Sequence, residues 1–487
     1  MPSRRVRPPA RRGALNRIAT ALFVLLAVPA AHAVELPRLF SDGMVVQRDQ
    51  PVQVWGRAAP GAQVTVSFAG TAAPATQADA DGRWSLELPA QTAGGPHVMR
   101  IDDGKQPRVL NDVLVGDVWL ASGQSNMEWS IAQAADPDAE IARATDPQIR
   151  HFKIPRSWAG TPQAQLAGGE WVAASPQVAG RFSAVAHHFA RELRAVTGVP
   201  VGIIDSTWGG SRIEAWIDAP SQGLDEVKVA ADAASLGEDD DINQRPALLY
   251  NAMIHPLQPY AMRGVIWYQG ESNANTVEDA LRYRRQFPAL IDQWRGQWRT
   301  QWDAPSLPFL WVQLANYSSG KDRGDASPWA VLREAQSMTL WMPGTAQAVT
   351  IDIGDPSDIH PRNKQDVGRR LALAARHVAY GEAVAFHGPT PQYTRFEGKA
   401  AHVEFGTSGG TLAVRGGGTR VRGFALAGTD QVFHPAEAVL QDGRVVVRSA
   451  AVPRPAAVRY GWSDNPAAAD LVNTDGLPAS PFRSDNW

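Results

Sequence analysis

Val113-Leu-Val-Gly-Asp-Val-Trp-Leu120 is an almost unbroken apolar run, and it leads into Ser122-Gly-Gln-Ser125. A strand that is apolar without alternation is buried on both faces, the mark of a parallel sheet covered by helices. Downstream, Phe182, Val185, Ala186, Phe189 and Leu193 follow helical spacing, and Gly198 stops that helix. Val201-Gly-Ile-Ile204 then reads as the next buried strand. Gly264-Val-Ile-Trp-Tyr268, Phe309-Leu-Trp-Val-Gln-Leu314 and Ala348-Val-Thr-Ile351 repeat the pattern. Helices are predicted over 278–294, 329–341 and 364–377. Strands alternating with helices predict an α/β domain over residues 113–380, built on a mainly parallel sheet flanked by helices.

On either side the pattern turns to short strands. In residues 34–112, Val52 and Val54 alternate, as do Val64, Val66 and Phe68, then Trp84, Leu86 and Leu88, with Pro60-Gly61 and Asp81-Gly82 as turns. This predicts an N-terminal antiparallel β domain. Residues 381–487 carry a second set, around Val403, Val421 to Leu426 and Val445, and predict a C-terminal antiparallel β region. The pattern leaves open whether the two regions join in one accessory sandwich. Residues 1–33 have a basic lead of six arginines, the apolar run Ala21-Leu-Phe-Val-Leu-Leu-Ala-Val28 and the small-x-small site Ala31-His-Ala33. That order predicts a secretory signal peptide, hence a periplasmic or secreted protein with no membrane anchor after cleavage. The net charge of -2 shows no basic surplus for nucleic acid. The absence of cysteine excludes disulfides, thiolate zinc sites and a cysteine nucleophile.

Four segments, each at the end of a predicted strand, carry candidate chemistry, and strand ends are where sites gather in open α/β sheets. In Ser122-Gly-Gln-Ser-Asn-Met-Glu-Trp129, a serine entering a helix N-terminus sits where free backbone N–H groups stabilise an oxyanion; the plainer alternative is a helix cap. Thr207-Trp-Gly-Gly-Ser-Arg-Ile-Glu-Ala-Trp216 offers paired glycines that aim an N–H at a ligand, or simply make a turn. Trp267-Tyr-Gln-Gly-Glu-Ser-Asn273 offers uncharged amide donors. Asp352-Ile-Gly-Asp-Pro-Ser-Asp-Ile-His-Pro361 supplies a histidine base with acidic residues that can fix its tautomer, Asp358 and Asp355. Seventeen tryptophans are present; Trp129, Trp208, Trp216 and Trp267 flank these segments, either as sugar-facing planes or as core.

Gly123-Gln-Ser-Asn-Met127, Gly209-Gly-Ser-Arg-Ile-Glu-Ala-Trp216, Trp267-Tyr-Gln-Gly-Glu-Ser-Asn273 and Asp358-Ile-His-Pro-Arg-Asn-Lys364, in this order, closely resemble the sialate O-acetylesterase family of SGNH-type hydrolases. The likeness extends to Asp42-Gly-Met-Val-Val-Gln-Arg48, to Arg459-Tyr-Gly-Trp-Ser-Asp-Asn-Pro466 and to Gly476-Leu-Pro-Ala-Ser-Pro-Phe482. The resemblance implies an SGNH-hydrolase-like fold and a carbohydrate O-acetylesterase without metal or organic cofactor. It implies Ser125 as nucleophile, His360 as base and Asp358 as its orienting group. The oxyanion hole it implies is the Ser125 N–H, a glycine N–H at Gly209 or Gly210, and the amide of Gln269 or Asn273. The general SGNH pattern places Asp three residues before the His, where this chain has Ser357, so Asp355 stays beside Asp358 as a candidate. Substrate contacts are expected from Gln124, Trp208, Arg212 and Glu271, and Arg212 or Arg362 suits a sugar carboxylate. The expected partner is an acetylated glycan of sialic acid or of plant hemicellulose such as xylan or xyloglucan. The competing readings are an esterase of non-sugar esters and a non-catalytic carbohydrate-binding protein.

Overall fold

The apolar run around Val113 lies in a 16-residue strand, β1 (Arg108–Gly123), in which every residue from Val113 to Gly123 is buried. The structure is a computed structural model and describes residues 34–237, 240–298, 307–320 and 326–487. The expected signal peptide lies outside the described residues. Among those described, no helix is long and apolar enough to cross a membrane.

Around β1 the chain adds β2 (Ile149–Lys153), β3 (Trp171–Ala173), β4 (Val201–Thr207), β5 (Gly264–Tyr268), β6 (Phe309–Val312) and β7 (Thr345–Ala348). The central order is β3-β2-β4-β1-β5-β6-β7. All neighbours are parallel except β3 on β2. The helices α1 (Ser125–Glu128), α2 (Ala184–Thr197), α3 (Val277–Trp298), α4 (Pro328–Met338) and α5 (Lys364–Val378) follow these strands. Helix α2 packs on α5 and α3 on α4. Complete burial of β4, β5 and β6 shows that both sheet faces are covered.

Three features depart from the pattern reading. The last strand lies at 345–348, before the apolar run at 348–351. Its Gln347 is buried because the amide bonds Ser337 and Ser480, so a polar residue occupies a core position. Strands β2 and β3 were illegible because Ile149-Arg-His-Phe-Lys153 reads as polar. Arg150 is nonetheless buried, its guanidinium held by the Pro147 and Gly43 carbonyls and by Asp112. Lastly, the expected boundary between residues 112 and 113 falls inside β1. The first half of β1 pairs antiparallel with Gly94–Asp102, and Val45–Gln47 runs parallel beside Leu114 to Gly116. The N-terminal β region is therefore continuous with the central sheet.

The Asp42–Arg48 motif anchors this junction. Asp117 on β1 is buried and accepts from Arg48 Nε (2.9 Å), Arg48 Nη2 (3.1 Å), Gln47 (3.3 Å) and Tyr380 (2.9 Å). The C-terminal strands form sheets of their own, of five, four and two strands, over a second apolar core containing Val403, Leu426, Val447 and Tyr460. Among the described strands none of these pairs with the N-terminal region, so the two β regions are separate.

Candidate active site

The end of β1 dictates where Ser125 sits. Gly123 has φ +128°, and a Cβ there would lie 2.1 Å from the Tyr268 carbonyl oxygen on β5. Only glycine lets the two strands end this close together. The chain then turns directly into α1, with Gln124 as its N-cap residue and no side chain capping it. Ser125 is the first helical residue, so its hydroxyl is free of the capping role. That hydroxyl lies 2.9 Å from His360 Nε2. Gln124 points the other way: its buried side-chain oxygen accepts from the Gly270 and Ser272 N–H groups, both at 3.3 Å, and fixes the third segment against the first.

His360 arrives on the loop between β7 and α5. Its backbone N–H donates to Asp358 Oδ1 (2.8 Å), and its Nδ1 stands 3.6 Å from the same oxygen, longer than a hydrogen bond. Asp358 is half exposed. Asp355 is turned to Ser357, accepting from its N–H (2.8 Å) and hydroxyl (2.7 Å), and those bonds lower its carboxyl. The imidazole is also held by its face: the Trp129 indole stacks on it at 4.3 Å between centroids and 12° between planes. Burial, and after it the charge of Lys364, lowers the His360 pKa, while Asp358 opposes this. The ring is thus neutral near pH 7 and able to take a proton from Ser125.

The glycine pair closes the other side. A Cβ on Gly209 would stand 3.3 Å from Ser125 Cβ, so the backbone passes beside that serine. The Gly209 N–H is already engaged, donating to Glu128 Oε2 at 2.8 Å. Burial alone would raise Glu128; the Arg156 fork, Lys153 and this N–H hold it below the ordinary glutamate value. Gly210, at φ +74°, keeps its N–H outside that bond. The carbonyl oxygen of Asn273 accepts from Ile213 N–H (3.0 Å) and from the Gln269 amide (2.8 Å), while its own amide donates to Glu214 (2.9 Å). Gln269 spends its amide on Asn273 and the Ser211 carbonyl, so it lacks a free donor for an oxyanion.

The expected substrate contacts divide. Gln124 is internal, as described. Glu271 is buried and bonded to Asn126 (2.5 Å). Arg212 pairs with Asp279 (3.0 Å) and Glu214 (3.3 Å), and Arg362 donates to the Gln133 and Ala134 carbonyls. Trp208 remains partly exposed, with the Arg156 guanidinium 5.9 Å from its ring centre. Trp216 and Trp267 are fully buried core. Among the described residues no cluster of three or more His, Asp or Glu is arranged to hold a metal ion.

Residues 115–377 match the family described as carbohydrate esterase, sialic acid-specific acetylesterase. The chain belongs to that family. The human sialate O-acetylesterase is 32% identical over 383 residues, covering 72% of each chain. The mouse sialate O-acetylesterase is 31% identical over 420 residues, covering 72% of this chain and 75% of that one. A crystal structure of a carbohydrate acetylesterase from Xanthomonas citri superposes with a TM-score of 0.88 at 55% identity, over 93% of this chain and all of the other.

Sequence reasoning missed Glu128, and it took Trp129 as a sugar-facing plane or as core rather than as the ring stacked on His360. Glu128 and Trp129 follow Ser125 by one helical turn, which brings them back to its side of α1. That spacing was the available signal. A glutamate belongs to no nucleophile–base pattern, so Glu128 reads as filler.

Proposed function

We propose that this chain is a carbohydrate O-acetylesterase acting by serine acyl transfer, and the observation that carries this is the 2.9 Å contact between Ser125 Oγ and His360 Nε2. His360 takes the hydroxyl proton as Oγ attacks the acetyl carbonyl. The oxyanion forms against the Ser125 N–H at the start of α1, the Gly210 N–H and the second amide hydrogen of Asn273. Collapse breaks the ester bond, and the departing sugar oxygen takes the proton from His360. Water then attacks the acetyl-serine, losing a proton to His360; the acyl–Oγ bond breaks, Ser125 Oγ takes that proton back from His360, and acetate leaves. Asp358, facing Nδ1, supports the imidazolium formed in both steps.

Family membership and the Xanthomonas citri likeness support an acetylated sugar as substrate. We read the glycan as an O-acetylated sialic acid or a hemicellulose such as xylan or xyloglucan, met outside the cytoplasm by an exported enzyme. We read the partly exposed Trp208 as a residue that receives a sugar face. The test is hydrolysis of acetylated glycans by wild type and Ser125→Ala. The expected result is release of acetate by wild type, with a loss of about 10⁴-fold or more in the variant. Hydrolysis by Ser125→Ala at the wild-type rate, or a preference for long acyl chains over acetyl, overturns the reading.

A further inference from the structure

Beneath the serine and histidine lies a buried group of side chains that the acyl-transfer steps do not use. Asn126, Lys364 and Glu271 are each at least nine-tenths buried, and they come from α1, α5 and the loop after β5. Asn126 follows the nucleophile directly. Its amide donates to Glu271 Oε1 (2.5 Å) and to the carbonyl of Ile359 (2.9 Å), the residue before His360. Its side-chain oxygen accepts from Lys364 Nζ (2.5 Å). One side chain therefore spans the backbone neighbours of both reacting groups.

We propose that Asn126, Lys364 and Glu271 act as a buried positioning unit for His360, in which Lys364 holds the Asn126 amide through its oxygen and sets a cation near the imidazole. The proposal rests on Ser125 and His360 being nucleophile and base. The logic is one of donors and acceptors. A lysine ammonium only donates, so the amide oxygen of Asn126 must face it. The amide nitrogen is then left for Ile359 and Glu271. Without Lys364 the buried amide oxygen is left without that partner, and the anchor of the His360 loop is weakened.

Charge follows from the same placement. Lys364 is faced by Glu271 and Asp358 and by the ring of Tyr268, 5.5 Å from Nζ. His360 is faced by Lys364 and Asp358, with Trp129 on its ring; Glu128, Lys153 and Arg156 lie on the Ser125 side. Burial lowers the Lys364 pKa to about 7, so in the acid range where His360 titrates the ammonium is charged. Burial likewise raises Glu271. A charged ammonium near the imidazole disfavours the imidazolium and extends the base-competent form to lower pH.

The experiment is the pH dependence of kcat/KM for acetyl ester hydrolysis by the full chain as wild type, Lys364→Met, Lys364→Arg and Ser125→Ala. His360 must be neutral to accept the proton, so activity falls as pH drops through its pKa. With the cation removed, that acid limb in Lys364→Met is expected to move up by about half a pH unit or more, with kcat about 10-fold or more lower and KM within about threefold. Lys364→Arg keeps the charge and is expected to keep the wild-type limb. An unshifted limb in Lys364→Met overturns the proposal. Should that variant fail to fold, Asn126→Asp serves: it sets a carboxylate oxygen against the Ile359 carbonyl. There a kcat loss of about 10-fold or more supports the unit and wild-type kcat overturns it. Ser125→Ala separates the readings: if it stays active the serine assignment falls, whereas an inactive Ser125→Ala beside an unshifted Lys364→Met sinks only the positioning unit.

Discussion

His360, the proposed base, is held from three sides, and the acidic neighbour is the weakest of the three. Trp129 covers its face, Ser125 meets Nε2 at 2.9 Å, and Asp358 stands 3.6 Å from Nδ1 while half exposed. Water screens such a carboxylate, so its contribution is smaller than that of a buried triad aspartate. Asp358→Asn is therefore expected to lower kcat by about 10- to 100-fold, well short of the loss in Ser125→Ala, and Asp355→Asn by less than about threefold. Steady-state kinetics on an acetyl ester checks both, and a larger loss for Asp355→Asn reverses the assignment. The serine and histidine were singled out by the family resemblance, since on its own segment Ser125 reads equally well as a helix cap; the structure sets the two side chains 2.9 Å apart. The places of Gln124, Gln269 and Glu271 were not legible, because a polar side chain beside a nucleophile looks the same whether it faces ligand or loop. Here Gln124 and Gln269 are consumed by backbone groups of the turning loops and Glu271 by Asn126.

Among the elements, β1 was the easiest to read, since its burial needs an apolar run and little else. Its end was harder. The sequence shows a glycine at 123, and only the neighbouring strand explains it. Gly123→Ala combines a positive φ with a contact of 2.1 Å to the Tyr268 oxygen, and is expected to cost at least about 3 kcal/mol. Gly198, after α2, also has positive φ (+69°), but open space surrounds its missing Cβ. Gly198→Ala should cost only about 1 kcal/mol, the backbone share alone. Denaturant unfolding of the two variants separates clash from φ, and equal losses would mean the close approach at β5 is not tight. The tail motif Arg459–Pro466 is likewise explained by its neighbours. Arg333, fully buried on α4, donates to the carbonyls of Leu314 and Ala315 and to those of Ser463 and Asp464. Asn465 holds the Asn316 amide, whose oxygen accepts from Gly354 on the way to His360. The C-terminal region thus braces the base-bearing loop, a tie across 149 residues of sequence.

For the whole molecule, three histidines set the behaviour in acid. His151, His187 and His188 are buried, with His151 stacked on Phe182 at 4.0 Å and the three rings within 6 Å of one another in sequence order. Burial lowers His187 to about 3 and His188 to about 4, and takes His151 well below its ordinary value. The folded protein keeps them neutral while the unfolded chain protonates them below about pH 6.5, so stability present above that pH is lost as pH falls toward 4 and 3. Tm is expected to hold between about pH 7 and 8 and drop steadily below about 6. In His187→Gln that slope should flatten by a share worth a few kcal/mol, about 1.4 per unit of depression. An unchanged slope by calorimetry would mean the ring titrates freely in the fold. None of this was visible in sequence, where His187 and His188 read simply as helix residues.

One further consequence concerns inheritance. Because β1 starts among the N-terminal strands and finishes two residues before Ser125, the leading β region and the central sheet share a physical thread. A crossover placed where the composition changes, near Asp112, cuts that thread and separates the serine from the hairpin that anchors its strand. The leading region is therefore no exchangeable cassette. It must be inherited, lost or redesigned together with the chemistry it appears only to precede.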